Sequence, residues 1–590
     1  MTDHTQIPGA FSARLNRTKK NLLDRIYARL SGFSHPVTAF ISQPEPRTIG
    51  SYARGQQLRA GNFMFAGRLV VDNVNSIWEI ERPDGAFEAY LHGFSWLDDL
   101  AAVGDVATRR ITQDWLIGWI DRYDSGHGSG WTPELTGRRL IRWINHALFL
   151  LKNQDKPTSD RYFRSLARQT KFLSRRWHSA PVGLPRFEAL TGLIYAGLAL
   201  EGSDHLVVPA MKAIAQECDR CIDEAGGIPS RNPEELMEVF TLLNWAASSL
   251  SEAGHMPLRP HLLAIERVAP TLRALRHADG TLARFHGGGI GMEGRLDQAL
   301  AASGVRARTG TGLAMGFARM SGGRTSVIVD AYPPPSAAHS FNAHASTLAF
   351  EMTSGRRPII VNCGSGAQYG EEWRRAGRAT PSHSTLCIDG YSSSRFAAPG
   401  LVGDIFYEML IDTPRDVPVQ QSSGTEGSRF QASHDGYIAT HGLSHVRQID
   451  MSINGREIIG TDTLGALSEN DRIAFEAMMN SNQGRGVAFD IRFHIHPDVS
   501  AELDLGGTAV SLSLKSGEVS VFRHDSEAVP ALDPGVYLES GRLKPRATKQ
   551  IVLSDVVMDY ASVISWSLAR AQDGQRHFRD LEDTFATDNS

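Results

Sequence analysis

The chain has 590 residues, 41% of them apolar and 21% charged, an ordinary globular composition spread over too great a length for one hydrophobic core. Two large domains are therefore expected. The formal net charge of −4 gives no general reason to bind nucleic acid, and a polyanionic ligand would need a local basic groove instead.

The N-terminus lacks the continuous apolar core of a secretion signal, so a cytoplasmic location is expected. No run is long and apolar enough to span a bilayer. From Arg14 to Arg29 the chain is basic, with Leu22, Leu23, Ile26 and Leu30 at helical spacing. Such a segment either docks on its own domain or lies on an anionic membrane.

From Asp105 to Arg276 the apolar period is mostly helical, as in Thr132–Leu151 and Ser159–Trp177, with short joints marked by Pro or Gly. His92, among aromatics in AYLHGFSWL, reads as a hydrogen-bonded structural histidine. In TGRRLIRWINHA, Arg138, Arg139 and Arg142 lie near Trp131 and Trp143. Arginine forks pair carboxylates and aromatic faces stack on sugar rings, so these residues form either a carbohydrate groove or a charged face over a Trp core. Cys218 and Cys221 make a CxxC with no second CxxC in the chain; buried thiols are the ordinary reading, for these as for Cys363 and Cys387. Asn232 stands before Pro233 with Glu235 three residues on, the pattern of an N-cap, a Pro at N1 and a capping-box glutamate.

The glycine-dense stretch Phe285–Leu300 contains His286 and separates the helical region from strand-like RTSVIVDAY. The boundary is placed near residue 300, giving a helical domain over 1–300, a β-domain over 301–575 and a polar tail over 576–590. In VAFDIRFHIHP, Phe489, Ile491, Phe493 and Ile495 alternate with Asp490, Arg492, His494 and His496. The two histidines share one face, as the polar side of a sandwich strand or as metal ligands. Short strands and turns continue to about Ser567, a sandwich pattern.

The stretch from His339 to Arg395 stands out. His344 and His383 each open a β-prone run, and between them RPIIVNCG ends in Asn362; Arg374, Arg375 and Arg378 precede the second histidine. This succession of His, apolar strand, "VNCG", then Arg and "HST" resembles the C-terminal half of the heparinase II/III family of polysaccharide lyases. The resemblance implies an α+β multidomain chain, an incomplete α/α toroid followed by an antiparallel β-sandwich. It also implies a zinc site at His344, Asn362 and His383, with Asn362 where the family has Asp. It implies a uronate-binding role for Asn232 as well. Where the family carries a further histidine two residues before the first strand's, this chain has Asn342. The family's proton-transferring tyrosine has no clear counterpart, which leaves His286 as the titratable residue available.

The implied chemistry is β-elimination on a uronate-containing polysaccharide or oligosaccharide. Asn232 would neutralise the carboxylate, and His344, His339 or His286 would serve as base or acid. Arg231, Arg138, Arg142, Trp131 and Arg378 are the candidate substrate contacts. Two alternatives stay open: a catalytically altered member that binds acidic glycan, or a uronate epimerase, which begins with the same proton abstraction.

Overall fold

The computed structural model describes residues 10–33, 37–42, 45–72, 76–307, 312–398, 400–402, 405–525 and 530–572. The tail assigned to 576–590 lies outside these residues.

The first half is helical, and its helices start where short polar side chains take up free backbone N–H groups. Asp105, Thr132, Asp155 and Asn232 cap the helices Val106–Tyr123, Pro133–Asn145, Lys156–Arg176 and Pro233–Glu252. Helix Pro133–Asn145 lies directly on Leu184–Ala199, because Gly137 and Gly192 face each other; a Cβ on Gly192 would sit 2.5 Å from the Gly137 backbone. Leu184–Ala199 packs in turn on Val207–Cys221 and Pro233–Glu252, and the latter on Arg259–Ala274. This layer is the incomplete α/α toroid. Trp96, Trp119 and Trp143 are fully buried in its core. The N-terminal helix Ala10–Leu30 docks on Lys156–Arg176 through the Asp24–Arg176 ion pair at 2.6 Å, leaving Leu22, Ile26 and Leu30 exposed. Among the described residues no helix is long and apolar enough to cross a membrane.

The last helix of this half ends at Ser303 and the first sandwich strand begins at Phe317. The second half is two eight-stranded antiparallel sheets. One contains, in spatial order, Pro530–Tyr537, Arg546–Val557, Val487–Ile495, Arg357–Val361, Phe350–Ser354, Thr325–Asp330 and Phe317–Gly322, with Leu386–Ile388 beside Val487–Ile495. Phe350, Phe493 and Trp566 fill the space between the sheets, Phe350 stacking on Trp566 at 5.8 Å.

Strand Thr325–Asp330 is buried at every position. One side meets the sandwich core; on the other, Ile328 joins the helical core. A strand covered on both faces can be apolar at consecutive positions, as Val327, Ile328 and Val329 are. The same covering explains His494 and His496. They share the outer face of their strand as expected, but both are buried: His494 Nε2 donates to the Pro381 carbonyl at 2.9 Å, and His496 packs edge-on against Tyr537.

Three arginines stitch the halves together. Arg231, held at φ +49° just before helix Pro233–Glu252, donates to the carbonyls of Met315, Gly316 and Pro333 and pairs with Asp330. Arg284 donates to the carbonyls of Cys363 and Leu538, and Arg319 reaches back to those of Ala274 and Arg276. All four cysteines are buried free thiols.

Candidate functional site

Three histidines meet where the halves join. His286 comes from the glycine-rich loop of the helical half, His344 from the segment before strand Phe350–Ser354, and His383 from the turn after Thr380–Ser382. The ring centroids of His344 and His383 are 5.1 Å apart, and those of His286 and His344 6.4 Å. Their exposures are 1%, 2% and 0% for His286, His344 and His383. Burial lowers the pKa of all three, that of His383 to about 4, so each imidazole is neutral at pH 7.

Their hydrogen bonds fix where each proton sits. His383 Nδ1 lies 2.9 Å from the Ala379 carbonyl, which only accepts, so Nδ1 carries the proton. His383 Nε2 is then an acceptor, and its 3.0 Å contact with His344 Nδ1 requires the proton on that Nδ1. His344 is therefore left with an unprotonated Nε2. His286 is arranged differently: its Nδ1 accepts from the His344 backbone N–H at 3.2 Å, which puts its proton on Nε2, 3.4 Å from Asp330. Being neutral, the imidazole meets the carboxylate as a polar contact and not as an ion pair, and no hydrogen bond is completed at Nε2.

Asp330 anchors the group. Burial alone would raise its pKa, but Arg231, His286 and the Ser346 hydroxyl outweigh burial and hold it at about 2. Sequence reasoning missed this residue; the available signal was a carboxylate directly after three consecutive apolar residues, Val327, Ile328 and Val329.

Asn232 caps its helix as expected, Oδ1 accepting from the N–H groups of Glu234 and Glu235 at 3.0 and 3.1 Å. The capping-box expectation is corrected: Glu235 takes the Ser230 hydroxyl instead, at 2.6 Å. The Glu234 carboxylate accepts from Gly289 N–H at 2.7 Å, tying the His286 loop to this helix. A Cβ on Gly288 would stand 2.5 Å from Asn232 Oδ1, and one on Gly287 3.2 Å from the Asn342 Cβ. Only glycine lets the loop pass between the two asparagines. Asn232 and His339 are half-buried and Asn342 is exposed. Tyr332, 53% exposed with Arg231 stacked 5.4 Å from its ring, is a phenol at this joint that sequence reasoning overlooked in AYPPP.

The zinc expectation meets an unsuitable donor set. Two imidazole nitrogens across a tetrahedral zinc stand about 3.3 Å apart, given Zn–N bonds of about 2.05 Å. Here His344 Nδ1 and His383 Nε2 face each other at 3.0 Å, close to that spacing, so the third donor decides the fit. Asn362 Oδ1 already accepts from Ser384 N–H at 3.0 Å and brings no charge. Among the described residues no three His, Cys, Asp or Glu side chains converge as a metal site would require. The residues present do not fit zinc.

The expected groove of the helical half is corrected. Trp131 is buried and donates to the Tyr123 carbonyl; Arg138 forks onto Glu188 at 2.7 and 2.8 Å; Arg142 is buried against Asp98. Arg139 lies under the Trp119 ring at 4.2 Å. These side chains pack the toroid. Arg378 is also buried, with its guanidinium on the carbonyls of Ala343, Glu408 and Ser340. Arg231 is at the joint, but as a buried structural partner. His92 is the structural histidine expected, accepting from Trp119 Nε1 at 3.1 Å.

Residues 305–567 match the family described as heparinase II/III-like, C-terminal. FtsZ-localized protein C of Caulobacter vibrioides (strain NA1000 / CB15N) is 28% identical over 533 residues, 90% of this chain and 89% of that protein. Among solved structures, heparinase III superposes with a TM-score of 0.64 at 12% identity, covering 96% of this chain and 92% of that one. A mutant of heparan sulfate lyase HepC from Pedobacter heparinus gives 0.57 at 14% identity, covering 94% and 89%. At these identities the structural likeness is one of fold.

Proposed function

We propose that this chain, which belongs to the heparinase II/III family, is a carbon–oxygen lyase acting on a uronate-containing glycan at the joint between its toroid and its sandwich. The observation that carries this reading is the unprotonated Nε2 of His344, the one imidazole lone pair the histidine cluster leaves unused.

In β-elimination the proton beside the uronate carboxylate is removed, the bond from the neighbouring carbon to the glycosidic oxygen breaks, and a carbon–carbon double bond forms between them. The proton goes to His344 Nε2. Its Nδ1–H is held by His383, which is anchored on the Ala379 carbonyl, so positive charge on His344 is shared along that chain. Asn232 at the N-terminus of helix Pro233–Glu252 supplies an amide and a partial positive charge to the substrate carboxylate. His339 and Tyr332 are the groups at the joint able to protonate the leaving oxygen. His286, with its own proton directed at Asp330, positions His344 and takes no part in proton transfer. No step runs through a metal.

A second reading is favoured by the 2% exposure of His344 and by Asn342 standing where the family's further histidine is expected. In it the chain binds acidic glycan without cleaving it, and the joint is structural. A relative whose name records localisation with FtsZ rather than a reaction accords with that reading.

The test is a lyase assay on uronate polymers and oligosaccharides, following ultraviolet absorbance of the unsaturated product. Absorbance growth lost in His344→Ala supports elimination by this residue. Growth retained in His344→Ala discards the assignment. Retained glycan binding with no product moves the function to the second reading.

A further inference from the structure

One face of the N-terminal helix Ala10–Leu30 is fixed to the toroid. Asp24 and Ala28 are buried there. Arg176 pairs with Asp24 at 2.6 Å and lies 5.4 Å from the Tyr27 ring centre, and the Ser179 hydroxyl donates to Asp24 at 3.3 Å. Gly126 approaches so closely that a Cβ on it would stand 2.8 Å from the Ala28 and Arg29 backbone. These contacts set the rotation of the helix about its own axis.

The opposite face carries large aliphatic side chains in water. Leu22, Ile26 and Leu30 are 56%, 42% and 46% exposed. Spaced four residues apart, they form one stripe along the helix, on the side away from Asp24 and Ala28. Arg25 and Arg29 run along one flank of the stripe and Lys19 stands one turn before Leu22; all three are exposed.

The charge on this helix is one-sided. It holds six basic residues, Arg14, Arg17, Lys19, Lys20, Arg25 and Arg29, against the single acid Asp24. That acid is turned inward onto Arg176, so it neutralises nothing on the outer face. In a chain of net charge −4 this is a local excess of the opposite sign.

An aliphatic stripe edged by cations complements an anionic lipid surface. The apolar side chains enter the boundary of the acyl region, while arginine and lysine extend their stems and keep their charges at the headgroup phosphates. A second copy of the chain is a poor occupant: a two-fold contact through this face would set Arg25 and Arg29 against like charges, with no exposed acid on the described turns to offset them. A nucleic acid would meet the cations and leave the stripe in water.

We infer that the outer face of helix Ala10–Leu30 lies on an anionic lipid bilayer, with Leu22, Ile26 and Leu30 inserted and Lys19, Arg25 and Arg29 at the phosphates. Because the inner face is locked to the toroid, the helix holds the molecule on the membrane in one orientation. This surface does not depend on the lyase reading.

The test is flotation of the full-length chain with vesicles of phosphatidylcholine alone and of phosphatidylcholine with phosphatidylglycerol at 3:1. Binding to the anionic vesicles should be about tenfold tighter or more, and should weaken as salt rises from about 0.1 to 0.5 M and shortens the Debye length. Leu22→Ser/Ile26→Ser and Arg25→Gln/Arg29→Gln should each weaken it about tenfold or more while keeping a near-wild-type melting temperature, since all four positions are exposed. His344→Ala should bind like the wild type, so failure of the lyase assignment and failure of this surface are separately visible. No binding to anionic vesicles, equal binding to both vesicles, or binding indifferent to both double variants would overturn the inference. Sedimentation velocity checks the other occupant: a dimer of the wild type that Leu22→Ser/Ile26→Ser dissociates would assign the face to a second copy and overturn it as well.

Discussion

Arg231 and Asp330, separated by 99 residues, form a buried ion pair at 2.5 Å that joins the helical layer to the sandwich. The guanidinium comes from the segment that also carries Asn232, and the carboxylate holds His286. The pair thereby sets the spacing between the substrate-binding end of the proposed site and its histidines.

Removing one partner should be costly, because the other would be left buried and uncompensated. Arg231→Met is expected to lower stability by about 3–5 kcal/mol. The double variant Arg231→Met/Asp330→Leu should recover part of that loss. Urea unfolding followed by intrinsic fluorescence measures both, and an Arg231→Met loss below about 1 kcal/mol would show the joint does not rest on this pair.

Acid should weaken the fold in two stages. The buried histidines have folded pKa values below the unfolded value near 6.5, so the unfolded state takes up protons first and stability declines as pH falls from about 6.5 toward 4. Each such histidine contributes a slope of up to about 1.4 kcal/mol per pH unit. Asp330 acts in the same sense at lower pH: its stabilisation is full above about 4 and disappears as pH falls through about 2. Scanning calorimetry at pH 7, 6 and 5 checks the first stage, and His383→Asn should flatten it.

The same lowering predicts the acid limb of activity. A base whose pKa lies well below 6.5 stays unprotonated in mild acid, so kcat/KM should hold as pH falls through 6.5 and drop only further down. His344→Ala should cost about 10²–10⁴-fold in kcat. An acid limb centred at 6.5 or above would rule out this neutral, buried base.

Asn232 has two separable roles. Asn232→Ala should lose about 0.5–2 kcal/mol of stability with the cap. Asn232→Asp keeps the cap and removes the amide, so its melting temperature should stay near wild type while KM for a uronate substrate rises. Equal KM in the wild type and Asn232→Asp would leave Asn232 as a cap alone.

Metal removal should change nothing. Incubation with EDTA is expected to leave the melting temperature and any lyase activity unaltered, and elemental analysis of the purified chain should give well under one zinc per molecule. Stoichiometric zinc, lost with activity on chelation, would contradict the donor geometry described for His344, Asn362 and His383.

The sequence by itself determined the succession of elements. Helical periodicity from Asp105, the cap-and-proline pattern at Asn232–Pro233, the alternation at Phe489–Ile495 and the glycine-dense joint are local patterns, set by backbone sterics and by which side of an element is apolar. It also marked His286, His344 and His383 as residues of interest. What it left undecided was which polar faces are covered. Trp131, Arg142, His494 and His496 occupy positions that look the same in sequence whether they line a groove or meet another element, and only packing of the toroid and the sandwich buried them. Asp330 and Tyr332 depend on segments brought together across the joint. The proton arrangement of the histidines likewise rests on the Ala379 carbonyl and on three-dimensional spacing, because a hydrogen bond depends on distance and direction in space, which residue order does not specify.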